Sequence, residues 1–326
     1  MREGERRALS KLQPLAAPLF ESVAIIGIGL IGSSIARAVA RVKAAGRIVI
    51  CDRDENALSR ARALGLGDAF ETSARAAVAG ARLVILCAPV GANGDLAAAM
   101  APSLAEGAIV SDVGSVKSAV VADVGPHLPE GVHLVPAHPV AGTEQSGPDA
   151  GFATLFVNRW CILTPPEGVE PAAVARVKAF WEALGANVEI MTPEHHDLVL
   201  AITSHVPHLI AYNIVGTAAD LGEVTRSEVI KFSAGGFRDF TRIAASDPTM
   251  WRDVFLYNRD AVLEMLGRFN EDLTALQRMI RRGDGQGLFE LFTRTRAIRR
   301  GIVELGQETA APDFGRRAPD SVDGET

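Results

Sequence analysis

The chain has 326 residues, about two domains' worth, enough to bury sizeable cores without disulfides or metals as staples. Its 48% hydrophobic and 22% charged residues exclude a disordered chain, and 39 acidic against 33 basic residues (net −6) argue against a sequence-independent nucleic-acid binder. With 31 glycines but only 6% aromatics, it suits an α/β nucleotide binder better than a module that stacks sugars or bases.

Residues 1–19 read as a flexible leader, with Arg2, Arg6, Arg7 and Lys11 but no sustained apolar region of a targeting signal after them. From Ser22 a strand–turn–helix rhythm begins, with apolar runs VAIIG, RIVICD, ARLVILCAP, GAIVSD and GVHLVPAHP separated mostly by Ala-rich helical stretches. Strands alternating with helices predict a Rossmann-type doubly wound parallel sheet over residues 20–191. The later runs CILTPP and ANVEIM are expected to extend that same sheet. After Thr192-Pro193 amphipathic helical patterns replace the strand runs, predicting an all-α domain over 192–306 and a disordered tail over 307–326. The uncharged stretch Ser22–Ala36 reads as the longest in the chain and as too short to cross a bilayer. Cys51, Cys87 and Cys161 show no CxxC spacing and read as thiols in a reducing compartment, so the cytoplasm is expected, with no membrane partner.

Gly27, Gly29 and Gly32 stand in G-x-G-x-x-G spacing between the first strand and the first helix, with Ile28, Leu30 and Ile31 filling the motif. Gly27 permits the tight turn, Gly29 lets backbone approach a pyrophosphate, and Gly32 allows close helix–strand packing. Asp52 follows Gly32 by 20 residues, where a carboxylate accepts hydrogen bonds from a ribose diol; this favours NAD, while the adjacent Arg53 leaves NADP open. Ala88 and Pro89 end a further strand that faces the same crevice, as does the Asp112–Lys117 segment. Within it, Ser115 is either a site residue or the N-cap of the next helix.

His138 is expected in a loop at the exit of what reads as the sixth strand, where imidazole suits proton abstraction near neutrality. His195, His196, His205 and His208 put four of the seven histidines within 14 positions. His196 and Asp197 are adjacent and so are expected to diverge on a helix, and neither HExxH nor a cysteine set accompanies them, so no metal site is expected. Substrate positioning or helix packing is the expected role. Arg238, Asp239 and Arg242 follow two glycines, a turn that can present guanidinium groups to carboxylates.

GIGLIG with Asp52, DVGSVK, HPVAGTEQSG, PEHHDLVLAITSHVPH and GGFRDFTRIAASDPTMWRD together resemble the prephenate/arogenate (cyclohexadienyl) dehydrogenase family of tyrosine biosynthesis. The resemblance runs in order from Val23 to Leu305 and implies an NAD-dependent oxidative decarboxylase, homodimeric through its helical domain. It further implies that His138 is the catalytic base and that Ser115 hydrogen-bonds near the substrate hydroxyl. It makes His208 a substrate-positioning residue and Arg242 the carboxylate binder, with Glu144, Asp239 and Trp251 lining or gating the site. In contrast to longer relatives, no chorismate-mutase-like segment is expected before Val23 and no regulatory domain after Leu305; tyrosine feedback, if present, is expected at the active site. Two rivals remain open. A β-hydroxyacid dehydrogenase would need a helical-domain lysine, for which only Lys231 stands after Lys178. A dinucleotide-binding redox sensor would leave His138, His208 and Arg242 without a role.

Overall fold

The computed structural model describes residues 9–143, 145–220 and 235–304. Contacts divide the chain into two compact units, Met1–Met265 and Leu266–Thr326. The larger unit holds every site residue considered below.

Its main sheet comprises β1 (Val23–Ile26), β2 (Ile48–Cys51), β3 (Ala69–Glu71), β4 (Leu83–Leu86), β5 (Ile109–Asp112) and β6 (His133–Leu134). These strands are all parallel, in the order β3-β2-β1-β4-β5-β6. Helices on both faces explain why β1, β2, β4 and β5 are buried at every position and, but for Ser111 and Asp112 at the end of β5, apolar: Val23 and Ile25 enter one core while Ala24 and Ile26 enter the other. The strand order reverses between β1 and β4, which places a crevice at their carboxyl ends.

Two of the crossover helices begin at short polar side chains, Asp54 and Ser73. Asp54 accepts from Asn56 N at 2.8 Å to start α2 (Glu55–Ala63), following α1 (Leu30–Val42). The short α3 (Ala74–Ala77), α4 (Asn93–Met100) and α5 (Ser118–Val124) complete the crossovers.

Three features differ from the sequence reading. β3 was absent from the expected strands because it is a three-residue, half-buried edge segment without an apolar run. CILTPP and ANVEIM do not extend the main sheet. They form β8 (Trp160–Leu163) and β9 (Asn187–Ile190) of a separate three-stranded sheet with β7 (Ala137–Pro139), α6 (Pro171–Ala183) lying between β8 and β9 in sequence. Finally, the segment read as a loose leader is anchored from Leu12 onward: Leu12 and Phe20 are buried, and Leu15 N and Leu19 N donate to Val42 O and Ala44 O.

Beyond β9 the described residues are helical: α7 (Pro193–Leu200), a π-turn at Ala201–His205, α8 (Val206–Asp220), α9 (Gly235–Thr241), α10 (Pro248–Tyr257) and α11 (Arg259–Arg282). The smaller unit takes the rest of α11 and α12 (Gly285–Glu304). Thr192 caps α7 by accepting from His195 N, and Asp247 caps α10 by accepting from Met250 N, each with Pro at the first helical position. The run Pro193–Asp220, with a mean hydropathy of 1.5, corrects the estimate based on Ser22–Ala36: by length and composition it is long enough to cross a bilayer. It nevertheless buries His196, Asp197 and His205, which pair with polar groups of the surrounding fold.

Candidate active site

At the cofactor end, the β1–α1 turn is shaped by backbone. Gly27 sits at φ +102°, a conformation favouring glycine, and a Cβ there would lie 2.7 Å from Cys87 O. A Cβ on Gly32 would lie 2.0 Å from Gly27 O, so α1 packs onto the turn only because position 32 has no side chain. Gly29 is the opposite case, since its Cβ would meet nothing within 4 Å. Gly29 is the N-cap of α1, and no side chain satisfies the first amides there. Unsatisfied N–H groups and the helix dipole favour an anion at such an end. Asp52, just past β2, accepts from Ile28 N at 2.9 Å and Asp54 N at 3.0 Å, tying the glycine turn to the second strand. Leu30 is buried and Ile31 half-buried in α1, Arg53 is exposed, and Ala88 and Pro89 leave β4 beside the turn. The donor set fits a dinucleotide.

At the chemical end, the structure places His138 inside strand β7, paired with Ile162 of β8, rather than in a loop. The sequence suggested a loop because Pro139 follows; a short strand beside an antiparallel neighbour accommodates that proline at its end. Ala137, just before His138, is clamped by a buried pair: Asp112 Oδ1 accepts from Ala137 N at 3.2 Å, and Lys117 Nζ donates to Ala137 O at 2.8 Å. Lys117 Nζ also donates to Asp112 Oδ2, which further takes Gly114 N at 2.8 Å. Burial pushes the Asp112 carboxyl up and the Lys117 ammonium down, each opposed by the other's charge. Three donors on Asp112 and two acceptors on Lys117 fit an ionised pair, and its two ends fix β7 to the end of β5.

His138 Nδ1 lies 2.8 Å from His196 Nε2, and His196 Nδ1 lies 2.9 Å from Asp197 Oδ1. His196 and Asp197 therefore meet instead of diverging. Consecutive side chains point apart on an exposed helix surface, but both of these are buried against the β5–α5 turn and β7. Asp197 also takes Lys117 N at 2.8 Å and Ser118 N at 2.9 Å, capping α5 from across the fold. Ser115 is accordingly not the cap of that helix. Burial, together with the neighbouring charges of His196, Lys117 and His205, holds His138 well below the usual imidazole range, so its ring is neutral at pH 7. Burial likewise lowers His196, against the raising effect of Asp197. For Asp197, burial raises the carboxyl, but the hydrogen bonds from His196, Lys117 and Ser118 outweigh it and leave the group lowered.

The π-turn brings His205 into the same cluster. Asn258 Nδ2 donates to Asp197 O at 2.8 Å, which fixes the amide's orientation, and its other hydrogen faces His205 Nδ1 at 3.0 Å. Burial pushes His205 down to about 4, with its ring facing the Ser115 backbone. His208 stacks on Trp251 with centroids 3.7 Å apart, and its Nδ1 must donate to Ser204 O at 2.8 Å because a carbonyl only accepts. Burial and the nearby Arg242 charge lower His208, leaving Nε2 an acceptor. The positive charge beside His208 therefore belongs to Arg242, not to the imidazole. Asp239 is exposed on α9 and pairs with Arg238 at 3.4 Å. Glu144 lies outside the described residues. Sequence reasoning placed the Asp112–Lys117 segment at the crevice and weighed His196 for substrate positioning, but gave no working role of their own to Asp112, Lys117, Asp197 and Asn258; the available signal was a charged residue set directly into an apolar helix, as in HDLVLAI.

Comparisons with known proteins agree with this division of labour. The family models "Prephenate dehydrogenase, nucleotide-binding domain" and "Prephenate dehydrogenase, dimerization domain" match residues 35–190 and 192–294. A cyclohexadienyl dehydrogenase of Zymomonas mobilis is 44% identical over 281 residues, covering 86% of this chain and 96% of that protein. The crystal structure of A. aeolicus prephenate dehydrogenase with hydroxyphenyl propionate and NAD+ has a TM-score of 0.81 at 35% identity, covering 86% of this chain and 98% of that one. Synechocystis arogenate dehydrogenase follows with a TM-score of 0.73 at 26% identity, covering 86% and 99%. A Rossmann-type sheet that can seat a dinucleotide, followed by helices that complete a histidine cluster, thus marks an NAD-dependent oxidoreductase, and the chain belongs to the prephenate dehydrogenase family.

Proposed function

We propose that this enzyme oxidatively decarboxylates prephenate, arogenate or both, giving 4-hydroxyphenylpyruvate or tyrosine, with His138 as the base. The observation that carries the reading is a neutral, nearly buried imidazole held at the end of β5 by the Asp112–Lys117 clamp. Neutrality at pH 7 is what a general base needs before it takes a proton.

The glycine turn and the α1 N-terminus would hold the diphosphate, and Asp52 the ribose diol, with Arg53 leaving room for NADP use. Bound NAD supplies the hydride acceptor. His138 takes the proton of the ring hydroxyl as the carbon bearing it is oxidised. As CO2 leaves the opposite ring carbon the ring becomes aromatic, and His138 returns the proton to the ring oxygen. Ser115 orients that hydroxyl. Arg242 grips a substrate carboxylate, while His208, set on Trp251, offers a neutral acceptor at Nε2. Glu144 and Asp239 complete the lining in this reading. Aromatisation drives the reaction, so the protein mainly supplies orientation and charge placement.

The domain division at Thr192, with a short tail from 307, belongs to the same reading, as does a homodimer formed through the helical portion. Exposed Ile214 and Val215 on α8 and exposed Leu273, Ile280, Phe289 and Phe292 on α11 and α12 support that dimer, since they are apolar side chains in need of cover. Cytoplasmic residence without membrane or nucleic-acid partners is supported by three free thiols and a net charge of −6. The test is incubation with prephenate or arogenate and NAD while following NADH absorbance. Turnover with either substrate is expected; no turnover with intact NAD binding would favour a dinucleotide-sensing module.

A further inference from the structure

We propose that Asp197 and His196 are positioning residues that set the tautomer of His138, leaving its Nε2 as the lone-pair nitrogen that faces the substrate proton. The inference rests on His138 being the base and goes on to say which nitrogen acts and what determines it.

The argument follows donors and acceptors along one chain of contacts. Asp197 already receives Lys117 N on Oδ1 and Ser118 N on Oδ2, so it is a carboxylate acceptor and has no proton to give. His196 Nδ1, 2.9 Å from Oδ1, must therefore be the donor. In a neutral imidazole the other nitrogen is then unprotonated, so His196 Nε2 accepts. The only way to satisfy the 2.8 Å contact is for His138 Nδ1 to carry the proton. His138 Nε2 is left bare.

Every step depends on burial that excludes water from competing: His196 is fully buried and His138 nearly so. The other charged or titratable groups packed around the pair are Asp112 and Lys117 from the β5 end, Cys161 from β8 and His205 from the π-turn. None of them hydrogen-bonds either ring of the pair among the described contacts, so the Asp197–His196 path alone fixes the tautomer. When Nε2 takes the hydroxyl proton, the positive charge on His138 is shared through Nδ1–H with His196, whose ring is itself oriented by a carboxylate. Orientation of a catalytic imidazole by a buried carboxylate is known to matter greatly, since the wrong tautomer puts a hydrogen where a lone pair is needed. Here a second imidazole is interposed and carries the instruction across.

A purely structural role, capping α5 and filling the core, predicts lost stability without a tautomer change. The experiment combines nitrogen NMR with kinetics on the full-length enzyme. In 15N-histidine-labelled wild type, His138 is expected as the Nδ1–H tautomer; Nε2–H in the resting enzyme would overturn the proposal. His196→Leu, which has no acceptor, should lower kcat about tenfold or more while leaving the KM for prephenate and the Kd for NAD within about twofold. His196→Gln, whose Oε1 can still accept, should recover most of the loss. Equal losses in the Leu and Gln variants, or full kcat in the Leu variant, would overturn the relay. If His196→Leu does not fold, the wild-type spectrum still decides. The base assignment is separated by His138→Gln: if that variant keeps turnover, the base reading fails and the relay with it. If it loses turnover while His196→Leu does not, the relay alone fails.

Discussion

The two ends of the site are built in opposite ways. The cofactor turn is made of backbone: Gly27 and Gly32 work by having no side chain, and the whole loop lies within a few residues of sequence. The chemical end is made of buried side chains gathered from afar, as when Asp197 caps α5 through Lys117 N across 80 positions. Adding atoms breaks the first. Removing atoms breaks the second, because each member of a buried polar network leaves an unpaired partner behind.

The largest contrast is expected at Gly32. A methyl group 2.0 Å from Gly27 O forces α1 away from the turn, so Gly32→Ala should weaken NAD affinity about a hundredfold or more by fluorescence titration. Gly29→Ala, whose Cβ meets nothing in the protein, should fold normally, and any loss of NAD affinity it shows would reflect the ligand's own approach. Equal behaviour of the two variants in folding would break the comparison.

At the chemical end, Lys117→Met strands a buried carboxylate and should cost about 3–5 kcal/mol in urea unfolding. Acid sharpens the same point. His205 has a folded pKa of about 4 against a reference of 6.5, so between those values the unfolded chain binds protons that the folded chain refuses. Its contribution is complete above pH 6.5 and lost as pH falls to about 4, amounting to roughly 3 kcal/mol at most. His138, His196 and His208 are shifted in the same direction, so the urea midpoint should drop between pH 7 and 5. A flat profile would contradict the neutral cluster. The smallest effect is expected at Arg242, half-buried and close enough to His208 to lower it: Arg242→Gln should raise KM for prephenate about tenfold with kcat changed less. An unchanged KM would remove its carboxylate role.

This contrast also explains what could be read from the sequence. The glycine turn, Asp52 and the alternation of strands with helices are local patterns, and a chain records local patterns directly. His138 was legible as a residue but not as part of a strand, because Pro139 reads as a loop signal and the pairing partner Ile162 lies far along the chain. β3 escaped because a half-buried edge strand needs no apolar run. The meeting of His196 with Asp197 was hidden by a rule that holds for exposed helices and fails where tertiary packing bends both side chains to one place. His208 was legible as a site residue but not in its charge, which depends on Ser204 O and Arg242.

The central claim is that a neutral His138 takes the substrate proton. The most direct measurement is steady-state turnover of His138→Asn with prephenate or arogenate, alongside its NAD affinity. Collapse of kcat with NAD affinity essentially unchanged is the predicted result; near wild-type turnover would contradict the account.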